Sequence, residues 1–255
     1  MDSGDIAAYG DSIAEYYDEH HAQLESEPTL AVLSELGGTG PALELGIGTG
    51  RIALPLSERG MHVDGIECSS KMIEQLRRKP GSDRIAVRMG NLRDVSGGPY
   101  QLVFAVFNTF NFLLTQKDQI TCFKNVARSL RPGGFFVIET SVPDMHRFSA
   151  GSPGFPYGQY VETQTIEGAR VVLDSMTVDP HAQLVTAVEI SLSDEGVNVY
   201  PVQMRYAWPA ELDLMAEMAR LSLRERWAGW RKERLTYSSH LYVSIYEATG
   251  SSPDF

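Results

Sequence analysis

The sequence is poor in cysteine, in positive charge and in long apolar runs. Its 255 residues include two cysteines, Cys68 and Cys122, both inside predicted secondary structure and without metal-like spacing. This excludes a disulfide scaffold, predicts no metal site, and fits reduced core thiols in a cytoplasmic protein. Lys and Arg number 22 against 33 Asp and Glu, a formal charge of −11. Nucleic-acid binding depends on cations that neutralise phosphates, so no nucleic-acid partner is expected. The one basic stretch, "RERWAGWRKER" from Arg224 to Arg234, reads as a solvated strand-and-turn face with Trp227 and Trp230 packed beneath it. No run approaches the roughly 20 apolar residues of a membrane span, so no membrane partner is expected. The opening "MDSGDIAAYGDSIAEYYDEHH" lacks the basic-then-apolar order of a signal peptide.

What is present is a regular alternation of strand and helix patterns. Ile6, Tyr9, Ile13 and Tyr16 or Tyr17 recur at helical spacing, which predicts an amphipathic lead helix. A second helix is expected over 28–36. "PALELG", "MHVDGIE", "RIAVRM", "YQLVFAVF" and "FFVIET" read as strands, separated by helical runs. The fourth is apolar almost throughout, as expected of a strand covered on both faces. Ser69 or Ser70 and Thr115 are N-cap candidates, the last with Asp118 three residues on. The β-α order implies a parallel sheet. Between 159 and 206 the pattern changes to four strand-like runs with short turns, which predicts a small antiparallel sheet. A helix from Pro209 and two strands, "SLRERWAGW" and "HLYVSIYEA", then complete the main sheet.

"ALELGIGTGR" carries Gly46, Gly48 and Gly50 on alternate positions where a strand gives way to a helix. A dinucleotide, a phosphate or a nucleoside with a charged tail can each use such a turn. The dinucleotide fingerprint places its third glycine one residue later, and the phosphate loop would need a G-K-[ST] ending that is not there.

"LELGIGTG" with an acid at the next strand end, Glu67, resembles the class I S-adenosylmethionine-dependent methyltransferases. "MGNLRDV", "LVFAVFNTFNFL" and "LRPGGFFVIE" extend the resemblance over roughly residues 40–140. The tyrosine-bearing lead helix and the inserted sheet resemble small-molecule methyltransferases of actinobacterial secondary metabolism, including sugar N-methyltransferases. The implied architecture is α/β: a Rossmann-like, mostly parallel seven-stranded sheet with helices on both faces, plus a small inserted antiparallel β cap. The core would span 1–145 and 207–255, with a lid helix over 1–25, and the substrate cap 146–206.

The resemblance implies S-adenosyl-L-methionine as cofactor. Gly46, Gly48 and Gly50 would pass beside its methionine part, with Glu44 near the ammonium and Phe107 contributing a carbonyl. Glu67 would accept from the ribose hydroxyls, Cys68 and Met72 would pack on adenine, and Leu92 would offer its N–H to the ring. Asn91 stands where the family often has Asp and would accept from the adenine amino group, with Asp94 in reserve. Tyr17 would reach the cofactor carboxylate. Arg51 could reach a carboxylate, but it reads first as a surface helix residue.

For the acceptor, the polar residues after the fourth strand, Asn108, Thr109 and Asn111, and Tyr9 on the lead helix are candidates. His146 and Glu139 are candidate bases, with Asn108 beside them. His146 is also a substrate-binding candidate. His20, His21, His62, His181 and His240 show no partner in the sequence. The expected reaction is methyl transfer to N or O of a small molecule. An RNA or protein methyltransferase and a non-catalytic S-adenosylmethionine-binding protein are the alternatives. Net charge opposes RNA, and a cap opposes a protein acceptor. The sequence leaves open whether the chain forms a homodimer.

Overall fold

Alternation of buried side chains organises the central sheet. The computed structural model describes residues 3–142, 159–167, 170–194 and 196–249. Its first five strands are β1 (Ala42–Leu45), β2 (Val63–Glu67), β3 (Ala86–Met89), β4 (Tyr100–Ala105) and β5 (Leu130–Ser141). Then come β6 (Gln159–Glu167), β7 (Arg170–Asp179), β8 (Leu184–Ser193) and β9 (Gly196–Arg205). β10 (Leu221–Trp227) and β11 (Leu241–Ala248) close the order. Seven of these form one sheet, β10-β11-β5-β4-β1-β2-β3, in which only β11 runs antiparallel to its neighbours. β1 and β4 are buried at every position, as central strands covered on both faces must be, and they take Glu44 and Gln101 inside with their apolar residues.

The helices are α1 (Ser3–Ile13), α2 (Tyr17–His20), α3 (Glu27–Gly37), α4 (Ala53–Glu58), α5 (Ser70–Arg77), α6 (Gln116–Ser129) and α7 (Pro209–Met218). Successive strand residues point to opposite faces, and each face has its own core. Leu43, Leu45, Val103 and Phe136 pack under Phe123 of α6 and Leu212 of α7. Ala42, Leu102, Phe104 and Val137 pack under Leu33 of α3 and Leu56 of α4. Phe123, fully buried, meets Phe110, Phe136 and Tyr246 edge-on at 5.2 to 5.5 Å between ring centres. Burying one such ring contributes about 1.5 to 3 kcal/mol.

Local differences from the sequence reading have local causes. The lead segment breaks into α1 and α2 at 14–16 rather than running as one helix. The fifth strand starts at Leu130, so "RPGG" lies within β5, where the β4 register shifts between Tyr100 and Leu102. Ser69 and Thr115 cap α5 and α6 by accepting from the N–H groups of Met72 and Asp118. Asp118 does not close a full capping box. Its carboxylate accepts from the Thr115 hydroxyl and from Arg93. The basic stretch is paired with acids: Arg224 with Glu247, Arg231 with Glu25 and Lys232 with Glu35, while Trp227 and Trp230 pack against the α3–α4 core.

The second sheet, β6-β7-β8-β9, is antiparallel and lies between β5 and α7 in the chain. Where β9 returns to the main sheet, Arg205 is 3 % exposed. Its guanidinium donates to Gln119 of α6, to Gln183 in the β7–β8 turn at 2.8 Å and to Glu211 of α7 at 2.7 Å. Burial opposes ionisation of Glu211, but hydrogen bonds from Gln183, Arg205 and Gln116 hold its pKa below the usual carboxylate range. Taking away the acid that pairs with Arg205 among the described residues strands a buried cation. Glu211→Ala is therefore expected to cost about 3 to 5 kcal/mol in urea unfolding at neutral pH, more than Arg205→Met. Because the depressed pKa lends stability that vanishes as pH falls through it, the difference between Glu211→Ala and the parent should shrink in acid.

Candidate active site

The chain order reverses between β1 and β4, and their carboxyl ends open a crevice of the kind that holds ligands in open α/β sheets. A cavity of about 210 Å³ lies there. Gly46 and Gly48 after β1, Glu67 and Cys68 ending β2, Met72 of α5 and Leu92 form one side. Phe107, Asn108 and Thr109 after β4 form its floor, and Tyr9 and Tyr17 come from the N-terminal segment. The structure therefore brings eight of the eleven cofactor candidates together: Tyr17, Gly46, Gly48, Glu67, Cys68, Met72, Leu92 and Phe107. Gly50, Glu44 and Asn91 do not line the cavity.

Glu67 is the organising carboxylate. One oxygen accepts from the Gly48 N–H at 2.8 Å, the other from the Cys68 and Ser69 N–H groups at 2.8 and 2.9 Å. Burial, with Glu67 beside it, pushes the Cys68 thiol up to about 12, so it stays a neutral thiol. Asn91 bends its side-chain oxygen onto the Arg93 N–H at 3.0 Å, a local Asx bond, and leaves the cavity to Leu92. Asp94 is exposed and lies 3.7 Å from Arg93.

Two of the three catalytic candidates, Glu139 and Asn108, act as braces. Phe107 and Asn108 both have left-handed backbones, φ 57° and 61°, which is costly for non-glycine residues. Glu139 accepts from the Phe107 N–H at 2.7 Å, and Asn108 Oδ1 accepts from the Ser141 N–H at 2.6 Å. Both bonds hold the strained loop to the end of β5. Burial raises the Glu139 pKa against hydrogen bonds from Phe107 and Trp230, and its carboxylate does not line the cavity. Asn111 is buried beside Phe110, its oxygen with no partner among the described residues, and does not line the cavity either. His146 lies outside the described residues.

Several site residues escaped the sequence reading. Arg51 is no surface residue: its Nε is buried with no partner among the described residues, its Nη1 donates to Ser26 at 3.1 Å, and it stacks 5.1 Å over the Phe107 ring. Burial raises the Tyr17 pKa, and a hydrogen bond and the charge of Arg51 pull it back. His21, Phe112, and Val202 and Met204 of β9 also line the cavity. The 200, 202, 204 alternation does signal one strand face, but no sequence signal says what that face meets.

The N-terminal segment is fastened to both strand-end turns. Asp11 accepts from the Ser69 hydroxyl and the Lys71 N–H. Asp18 accepts from the Thr49 hydroxyl at 2.6 Å and pairs with Lys79 at 2.6 Å.

A nucleoside with a cationic tail fits this lining. Behind the lining Glu44 is 3 % exposed, and its Oε2 has no partner among the described residues. The three glycines separate by purpose. A Cβ on Gly50 would strike Leu76 and Leu54 in the core, and one on Gly46 would strike Thr109. One on Gly48, φ 54°, would meet nothing within 4 Å, so that space belongs to the cavity. Gly48→Ala should thus cost only about 1 kcal/mol in stability while weakening S-adenosylmethionine binding. Gly50→Ala should lower the melting temperature more. Differential scanning and titration calorimetry on both variants check the pair.

Comparison with known proteins agrees with this geometry. A methyltransferase domain family matches residues 42–134. The CcbJ methyltransferase from Streptomyces caelestis superposes with a TM-score of 0.84 at 38 % identity, covering 95 % of this chain and 98 % of that one. The cypemycin N-terminal methyltransferase of a Streptomyces species is 24 % identical over 228 residues, 86 % of this chain and 89 % of that protein. YqeM of Bacillus subtilis (strain 168), named as a methyltransferase, is 32 % identical over 131 residues, 49 % of this chain and 53 % of its own length. With a family match across the glycine turn, a relative alike over nearly its whole length and a cavity of this lining, the chain belongs to the methyltransferase family.

Proposed function

We propose that the protein methylates a nitrogen of a small molecule in secondary metabolism. The observation that supports this is the continuity of one cavity. Its glycine-turn side carries Gly46, Gly48, Glu67 and Leu92, and its other side carries Tyr9, Phe112, Val202 and Met204. When bound, S-adenosylmethionine supplies an electrophilic methyl on sulfur. The protein's part is alignment and exclusion of water. Tyr17 and Arg51 present a hydroxyl and a guanidinium suited to the carboxylate of the cofactor tail. Glu44, buried behind the lining, acts on its ammonium by charge rather than by contact, and Glu67 keeps lone pairs for the ribose. Leu92 serves the adenine through its N–H, and Cys68 and Met72 give the ring an apolar seat. Tyr9, Asn108 and Thr109 border the acceptor. A nitrogen acceptor suits a lining whose carboxylate, Glu67, is tied up by three amides, and one similar protein is named for N-terminal methylation.

Methyl-labelled S-adenosylmethionine incubated with the protein and a mixture of small amines and phenols should deliver label to amines. Label in phenols alone would move the acceptor atom to oxygen, and label only in RNA or protein fractions would overturn the reading.

Burial raises the Glu44 pKa well above the usual carboxylate range, with Arg51 and the Ala53 N–H offsetting it in part and Glu67 adding to it. An ammonium brought beside it favours the ionised form, so binding releases a proton, and affinity for S-adenosylmethionine rises as pH climbs through that raised pKa. Titration calorimetry in buffers of different ionisation enthalpy should show this proton, and Glu44→Gln should lose it. The same raised pKa makes Glu44 a burden on the cofactor-free fold at high pH. Glu44→Gln should therefore melt above the parent at about pH 8 and level with it at about pH 4.

A further inference from the structure

His21 lines the cavity from the turn after α2, and neither the cofactor nor the bracing network above uses it. Its Nδ1 lies 2.8 Å from the Tyr17 carbonyl oxygen. A carbonyl can only accept, so Nδ1 carries the hydrogen and the Nε2 lone pair is free. Nε2 makes no hydrogen bond among the described residues, and it is not among their fully buried unpaired atoms. The ring is held on two further sides. It packs 4.3 Å from the Tyr17 ring and edge-on to Phe107 at 5.1 Å. Phe107 begins the strained loop whose next two residues border the acceptor side.

The groups that face His21 are Tyr17, His20, Arg51 and Asp18. Burial lowers its pKa from the ordinary value, and His20 and Arg51 push the same way. The bond to the Tyr17 carbonyl and the Asp18 charge oppose them. The imidazole is therefore neutral at pH 7. The other titratable groups on the described lining are less suited. Burial raises the Tyr17 hydroxyl and the Cys68 thiol, and Glu67 already accepts three amides.

We propose that His21 Nε2 takes the proton from the acceptor amine. The inference rests on the nitrogen-acceptor reading above. An amine reaches the site largely as ammonium, without a lone pair. Transfer of one N–H proton to Nε2 frees that pair. The pair bonds to the methyl carbon as the carbon–sulfur bond breaks and its electrons stay on sulfur. The methylated nitrogen leaves as an ammonium and the imidazolium returns its proton to water, so charge and protons balance.

Two measurements test this. Long-range 1H–15N correlation on protein with 15N-labelled histidine and saturating S-adenosylhomocysteine reads the tautomer, with His21→Asn identifying the signal. An Nδ1–H tautomer titrating below the ordinary 6.5 is expected. An Nε2–H tautomer, or an imidazolium persisting above pH 7, would overturn the assignment. Benzylamine, an apolar amine matched to Tyr9, Phe112, Val202 and Met204, serves as the acceptor probe. His21→Asn should slow its methylation about 100-fold at pH 7, leave S-adenosylmethionine affinity unchanged, and regain rate as pH approaches the amine's own pKa. An unchanged pH profile in His21→Asn overturns the role of His21 alone. No transfer to benzylamine by the parent protein counts against the apolar-amine acceptor, with the tautomer still judged by the first measurement.

Discussion

The carboxylate of Glu67 is the knot on which the site depends. Parallel strands end with unpaired amides at their carboxyl edge, and a turn that carries three glycines has little side-chain packing to fix it. By accepting from Gly48 on one turn and from Cys68 and Ser69 on the next, Glu67 fixes the two turns to each other. A charged acceptor makes such bonds stronger than neutral ones. The consequences spread outward. Ser69 is positioned to cap α5 and to meet Asp11 on α1. Thr49, beside Gly48, meets Asp18 next to Tyr17. The N-terminal segment is thus aligned by the same turns that shape the cavity it covers.

A second centre of order is electrostatic. Glu44 and Glu139 lie on the sheet face covered by α3 and α4, where loss of water favours the protonated form of each. Arg51 supplies a cation and lowers the pKa of both, although burial still dominates each. Its position over the Phe107 ring places the charge beside the cavity. The same guanidinium disfavours a protonated His21. One side chain thus stabilises negative charge on two acids and neutrality on an imidazole.

The sheet was legible in the sequence because its signals are local. Apolar runs bounded by glycine and proline gave all eleven strands, and the glycine turn with Glu67 gave the crevice. What was not legible depends on distance in the chain. Arg51 looks like a surface helix residue until Ser26, Tyr17 and Phe107 surround it. His21 stands in an acidic, polar run, and only the fold brings it to Phe107. Glu139 and Asn108 had the right chemistry for catalysis, but they are 31 residues apart and meet across the β4–β5 edge, where their bonds hold a loop. Asn91 shows the converse: its neighbourhood was right, while a bond two residues away claimed its side chain.

The pairing of strain and bracing explains why the loop after β4 can serve two partners. Left-handed backbone at Phe107 and Asn108 turns the chain sharply out of β4, so that Phe107 faces Arg51 and His21 while Thr109 fills the space beside Gly46. Relaxing either residue would withdraw one wall of the cavity. Glu139 and Ser141, at the end of β5, hold the turn against that relaxation. Loss of either brace would therefore act on both ends of the cavity together, because the segment that follows, Thr109–Phe112, fills the space beside Gly46 and packs against β9.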